Sequence, residues 1–460
     1  MKNDSFDDSF FEYIQSLAAS LKKLPALEKG ARVFSFEDVK ETVIHIVMNL
    51  NDSGFSSNDT VGITVKDEIN HFLLSVSLLA LGAKQITLAS HDPERIREQL
   101  RVRLGITKVI TDDDMTSILE KSVISSSRGF QSGLREGTLI LKTSGTVSRA
   151  KLVPSSATAL LLQSQQHAFY RDSVFLRLAS VEHNNSKRHR LYCFLQGGTN
   201  IFRESLETVV DHKYLFSSRC TRLDIARSHF ASLISEGRPD VIPERVTITL
   251  AGSPAPLALR TDFINKVSPK LFVRYGATES GTIAIAGPNQ HRIEGGVGYV
   301  LDGVGHTATK ELGLLQFQTP GMALQYLDPQ PEQIEGLADG WFSPGDLGYL
   351  SEDGQLVIQG RQADAFTLDG INIFPREIEA VIAEHSAIAD VAVVKKTSKN
   401  HDGLPVAYVV LNGENKLSTL ELLTWSRERL GLASPRQIII TDAIPTTDQG
   451  KIDLESLRNG

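Results

Sequence analysis

The 460-residue sequence contains only two cysteines, Cys193 and Cys220. Two cannot build a disulfide framework, and their spacing suits no metal site, so a reducing cytoplasm is the expected location. Basic residues are not in excess either: 48 Lys and Arg stand against 55 Asp and Glu, a formal net charge of −7. That balance argues against nucleic acid or an anionic membrane surface as a partner. Long apolar runs are missing too. The best of them, FLLSVSLLALGA at 72–83, is too short to span a bilayer. The opening MKNDSFDDSFFEY is acidic where a secretory leader would be basic. No fixed-period repeat is visible.

What is present reads as globular, with 41% hydrophobic and 22% charged residues. The length calls for at least two domains. Strand-like and helix-like segments alternate: TVGITV (60–65) as a strand, EINHFLLSVSLLALGA (68–83) as an amphipathic helix, KQITLA (84–89) as a strand, PERIREQLRVRLG (93–105) as a helix and KVIT (108–111) as a strand. This alternation predicts an α/β fold of layered sheets and helices with parallel strands. Near Gly360 the texture changes to GQLVIQGR, a helix at PREIEAVIAEH, strands at DVAVVKK and VAYVVL, and a helix at TLELLTWSRERLG. The expected division is therefore a large N-terminal domain, 1–359, and a small α+β C-terminal domain, 360–460.

The stretch LILKTSGTVSRAKLVPSS, 139–156, ends an apolar strand in small hydroxyl residues, a glycine and then Lys151. Pro154 and Ser155 precede a helix-like run, so the polar segment reads as a strand-to-helix loop. Small side chains let backbone N–H groups converge on an anion, and Lys151 adds charge, as a phosphate site needs. No Gly-Lys-Ser/Thr ending makes it a Walker loop. On these residues alone a solvated turn and a phosphate loop both remain open.

Four further segments follow in order: VRYGATESG (273–281), GWFSPGDLGYL (340–350), GRQADAFTLDGINIFPREIEAVI (360–382) and IPTTDQGKID (444–453). Taken singly, Glu279 could be a surface charge, Asp346 a turn former, Arg361 a linker residue and Lys451 one exposed lysine among many. Together the chain, from near residue 34 to its end, resembles the AMP-forming acyl-adenylating enzymes: acyl-CoA synthetases, peptide-synthetase adenylation domains and luciferases. The first loop resembles that family's Thr-Ser-Gly-Thr-Thr-Gly-x-Pro-Lys signature, and YGATES its Tyr-Gly-x-Thr-Glu signature. GINIFPREIE is similar to the phenylacetate–CoA ligase branch.

The resemblance implies ATP-dependent formation of an acyl-adenylate with release of pyrophosphate, then transfer to a thiol of CoA or a carrier-protein phosphopantetheine. Two anions must meet, so positive charge and positioning should dominate. By resemblance, Thr143, Ser144, Gly145, Thr146 and Lys151 would hold the phosphates. Thr278 would bind the α-phosphate and Glu279 would ligate Mg²⁺. Tyr275 and Gly276 would lie at the adenine, with Gly252 and Ser253 at its edge, and Asp346 and Arg361 at the ribose. Lys451 would be the catalytic lysine, carried on a mobile C-terminal domain hinged at Ala363 and Asp364. Gly370 would line the thiol tunnel, and His183 would gate the acyl pocket.

Departures from the family pattern are local. Val147, Ser148 and Ala150 replace a hydroxyl, a glycine and a proline of the phosphate loop, and Arg149 is offered as the compensating phosphate contact. Ala363 stands at the hinge position usually held by Asp or Lys, and Thr367 replaces a frequent lysine. SVEHNNSKRHRLYCFLQGGTN, 180–200, is polar and basic. It reads as a solvated loop, or as a segment that gates the acyl pocket or docks an acidic partner, where Lys187, Arg188 and Arg190 could meet the acidic recognition helix of an acyl or peptidyl carrier protein. A small carboxylic acid is the expected substrate. An amine acceptor, or a non-catalytic binding protein of the same fold, are the alternatives.

Overall fold

The computed structural model describes residues 10–121, 136–143, 150–203, 211–236, 241–327, 336–368, 371–398, 401–413, 417–447 and 451–459. The chain divides into two compact units, Met1–Leu206 with Thr278–Gly281 and Thr319–Gly340, and Glu207–Ala277 with Thr282–Gln318 and Trp341–Gly460.

In the first unit, strands Thr60–Ile63, Lys84–Thr87, Lys108–Ile110 and Thr138–Lys142 pair in parallel, and Leu152–Ser156 closes one edge antiparallel. The predicted α/β alternation is present: helices Glu68–Leu81, Glu94–Arg103 and Asp112–Glu120 connect the parallel strands. Ile86, Leu88, Leu100, Ile106, Ile140 and Leu152 form a core between sheet and helix. Asp67 caps the first of these helices by accepting from the Asn70 amide, and Gly82 ends it at φ +81°.

Two expectations are corrected here. The 68–81 helix is not amphipathic: nearly every residue, including Glu68, His71, Ser75 and Ser77, is buried. It runs through the interior of a layered unit, which an apolar stripe on one face would not allow. The segment after Lys142 is not a strand-to-helix loop. Leu152–Ser156 is a second strand, paired antiparallel with Thr138–Lys142 through Thr138↔Ser156 and Lys142↔Leu152, so the polar stretch is a hairpin loop. Pro154 is compatible with that strand because the strand lies at the sheet edge. The helix begins only at Ala157, with the Ser156 side chain as its cap.

In the second unit, strands Arg222–Ile225, Thr247–Ala251 and Leu271–Ala277 pair in parallel, and Gly281–Ala286 and Tyr299–Val300 continue the order. Asp346–Leu350 pairs antiparallel with Leu356–Arg361. Beyond Gly360, Ile388–Ser398, His401–Leu411 and Gln437–Ile440 make a three-stranded sheet, with helices Pro375–Ala383 and Thr419–Leu430. This segment has a core of its own, Ala392, Val394, Val406, Tyr408, Ile444 and Leu457, with Ile452 and Leu454 packed on it. The segment carrying Lys451 is thereby held to that sheet.

Candidate active site

In the first unit the hairpin loop is pinned at its mouth. The Thr143 amide donates to the Lys151 carbonyl at 2.9 Å, and the Lys151 amide donates to Thr143 Oγ1 at 3.1 Å. Ser144, Gly145, Thr146 and Arg149 lie outside the described residues. The Lys151 ammonium donates to the Tyr326 hydroxyl at 3.2 Å and lies 4.7 Å from the centre of its ring. That hydroxyl in turn donates to Glu279 Oε1 at 3.1 Å. Burial, then the Glu279 charge, push the phenol far above its ordinary value, so it remains a donor. Glu279 is 8% exposed, which rules out its reading as a surface charge. Arg188 Nη1 donates to the Thr278 carbonyl at 2.7 Å. The structure thus joins Lys151 to Glu279 through Tyr326, a residue in no recognisable motif, which sequence reasoning missed.

The basic segment 180–200 corrects another expectation. It is neither a solvated loop nor a docking surface: Asn184–Leu195 is a helix in which every residue from Ser186 to Leu195 is buried. Lys187 and Arg190 are 0% exposed and Arg188 5%, so none of them can meet a carrier protein's surface. Arg190 donates to the Ile201 and Arg177 carbonyls, both at 2.9 Å. Lys187 donates to the Thr87 hydroxyl. His183 stands at the helix's N-terminal end, its ring 4.5 Å from that of His91. Glu182, next to it, accepts from the Ser90 amide at 2.9 Å and the Ser90 hydroxyl at 2.6 Å. Burial alone would raise the Glu182 carboxyl, but nearby His91 and these Ser90 donors bring it down to about 2.

In the second unit Asp346 begins a strand and is 4% exposed. The Tyr275 hydroxyl donates to its Oδ2 at 2.5 Å, while Oδ1 has no hydrogen-bond donor and lies 3.6 Å from Arg361 Nε. A buried carboxylate oxygen left open in this way suits a ligand hydroxyl. Tyr275 also packs edge-on against Phe317, with centroids 6.0 Å apart, and burial raises its phenol well above the ordinary value. Gly276 follows on the same strand and is exposed.

Gly252 sits at φ +93°, and a Cβ there would stand 3.3 Å from Lys451 Cε. The next residue in each segment adds a second tie, the Ile452 amide to Ser253 Oγ at 3.4 Å. Lys451 therefore lies on the Gly252–Ser253 loop. Ala363 and Asp364 form a short 3-10 turn after Arg361, and Asp364 accepts from Arg458 at 2.7 Å. Gly370 lies outside the described residues.

Residues 15–308 match the family described as AMP-binding enzyme, and residues 377–451 match the AMP-binding enzyme C-terminal domain. The chain belongs to the AMP-binding enzyme family. It is an AMP-forming acid–thiol ligase, activating a carboxylic acid with ATP as the acyl-adenylate before transfer. A 2-succinylbenzoate–CoA ligase of Listeria monocytogenes serotype 4b is 24% identical over 97% of this chain and 98% of its own. Two solved structures share the fold. O-succinylbenzoate coenzyme A synthetase from Bacillus subtilis with AMP superposes with a TM-score of 0.82 at 21% identity, covering 97% and 98% of the two chains. An amide bond synthetase from Marinactinospora thermotolerans gives 0.83 at 18%, covering 98% and 99%.

Proposed function

We propose that this AMP-binding enzyme activates an aryl carboxylic acid of the 2-succinylbenzoate class and delivers it to CoA. What supports the reading is that Lys451 lies beside Gly252 and Ser253, the residues that the resemblance puts at the edge of the adenine. The identity of the acid rests on the Listeria relative, similar across almost the whole chain.

In this reading Thr143 and Lys151, with Ser144, Gly145, Thr146 and Arg149 of the same loop, bind the phosphates of ATP, and Thr278 binds the α-phosphate. Tyr275, Gly276, Gly252 and Ser253 bind adenine. Asp346, through its open Oδ1, and Arg361 bind the ribose hydroxyls. Among the described residues no three His, Cys, Asp or Glu side chains group into a metal cage. One carboxylate on hydroxyl-rich ground fits Mg²⁺, which takes one or two carboxylates and completes its shell with water and substrate phosphates. Glu279, oriented by Tyr326, would hold it; the ion supplies neutralising charge at the phosphates. Lys451 offers its ammonium to the acid's oxygen and the α-phosphate as the bond forms and negative charge gathers there. His183 gates the acyl pocket, Gly370 serves the thiol, and the body 360–460 turns about Ala363 and Asp364. The cytoplasm is the proposed location.

A pyrophosphate-release assay across aryl, aliphatic and amino acids tests the substrate, with CoA, a phosphopantetheinylated carrier and a free amine as acceptors. Release with 2-succinylbenzoate and thioester formation with CoA are expected; release with none of the acids would refute the reading. Lys451→Ala should lower acyl-adenylate formation on the order of a hundredfold or more, the value of a charge-assisted contact to a transition state. Its melting temperature should stay close to that of the parent.

A further inference from the structure

Arg227 begins the helix Arg227–Glu236 and is 2% exposed at its side chain, yet it belongs to none of the motifs discussed above. Its guanidinium faces two ways. Nη1 donates to the carbonyl of Pro254, two residues beyond Gly252. Nε donates to Asp390 Oδ1 at 3.1 Å, and Nη2 donates to the same oxygen. Asp390 is 5% exposed at its side chain and lies in the strand Ile388–Ser398, the strand against whose residues Ala392 and Val394 the Lys451 segment packs through Ile452, Leu454 and Leu457.

One buried cation thus ties the loop on which Lys451 rests to the body that carries Lys451. A buried, unexposed pair is weak evidence for stability, because desolvation offsets most of the attraction; its better-attested use is to select one arrangement. A planar guanidinium with fixed donors suits that task, since it bonds both partners at set angles. We infer that Arg227 and Asp390 are positioning residues for adenylation, registering the Lys451 ammonium over the Gly252–Ser253 loop. The inference rests on the reading of Lys451 as the lysine of the first half-reaction. Arg227 touches neither ATP nor acid in that reading, so it acts through Lys451.

The test compares two half-reactions on the full chain: single-turnover formation of acyl-adenylate, and transfer from preformed acyl-adenylate to CoA. Asp390→Asn keeps an acceptor for the Val391 amide, which Asp390 Oδ1 accepts at 2.8 Å. Arg227→Met with Asp390→Leu removes both charges together, avoiding the lone buried charge that could unfold a single variant. Each should slow adenylation by about tenfold or more while transfer changes less than threefold. Michaelis constants for ATP and acid should stay within about twofold. Placed on Lys451→Ala, the double change should cost less than about twofold further.

Equal losses in both half-reactions, or adenylation within threefold of the parent, would overturn the positioning role. If Lys451→Ala itself adenylates normally, the reading of Lys451 fails first, a result distinguishable because that variant is measured beside the others.

Discussion

Lys187 shows at one position how burial decides chemistry. The Val65 carbonyl can only accept, so His71 Nδ1, 2.6 Å away, carries the ring proton. Burial, then the Lys187 charge, push His71 down to about 3, so its Nε2 is an acceptor, to which the Thr87 hydroxyl donates at 3.2 Å. Thr87 Oγ1 is left to accept from Lys187. Burial lowers the Lys187 ammonium from 10.5 to about 7, with Glu182 opposing. Above about pH 7 the folded chain gives up a proton that the unfolded chain keeps to 10.5, so stability attributable to this site rises with pH across that window. Lys187→Met should lack this rise. Urea midpoints from pH 7 to 9.5 should show the parent gaining on the variant by up to roughly 1.4 kcal/mol per pH unit. A constant difference across the range would show that Lys187 does not titrate there.

At the scale of elements, the buried helices 68–81 and 184–195 are the ones sequence patterning describes least well. A helix buried all round has no polar face, and its buried Glu68, Lys187 and Arg190 are tolerated because each finds a partner: Glu68 accepts from the Val181 amide at 2.8 Å. Close seating of helix on strand also requires Gly137, just before the strand Thr138–Lys142. A Cβ there would stand 2.3 Å from the Leu79 carbonyl oxygen and 2.6 Å from Leu79 Cα. Backbone cannot give way as a side-chain end can. Gly137→Ala should therefore destabilise by roughly 1–3 kcal/mol or more. Gly62→Ala, whose Cβ would meet Leu88 Cδ1 at 2.8 Å and otherwise only side-chain ends, should cost less in the same thermal melts. Equal shifts would mean that the 68–81 helix moves away freely.

For the whole molecule, the proposed boundary near Gly360 would put Lys451, the lysine proposed for adenylation, on a segment with its own core. Arg361, 62% exposed at its side chain, ends the strand Leu356–Arg361 immediately before the 3-10 turn. Limited trypsin digestion should cut first after Arg361 and yield two persistent fragments that meet there, read by intact mass. A first cut inside the 388–440 segment would place the flexible connection elsewhere. Among the described residues no helix is long and apolar enough to cross a membrane.

Local rules sufficed for the alternating strands and helices between 60 and 111 and for the two helices and two long strands after Gly360, though not for the strand Gln437–Ile440, because caps, glycines and apolar period act over a few residues. Order along the chain, YGATES, GDLG, GRQAD and a late lysine, was enough for the family. Sequence could not show that SKRHR is buried, because its charges look solvated until Thr87, 100 residues from Lys187, and the strand carbonyls of Ile201 and Arg177 come to meet them. Nor could it show Tyr326 between Lys151 and Glu279, or Arg227 between Pro254 and Asp390, 163 residues away. Those pairings carry no local signal: side chains remote in sequence meet only after the chain has packed, and burial then sets which charges survive and what each one holds.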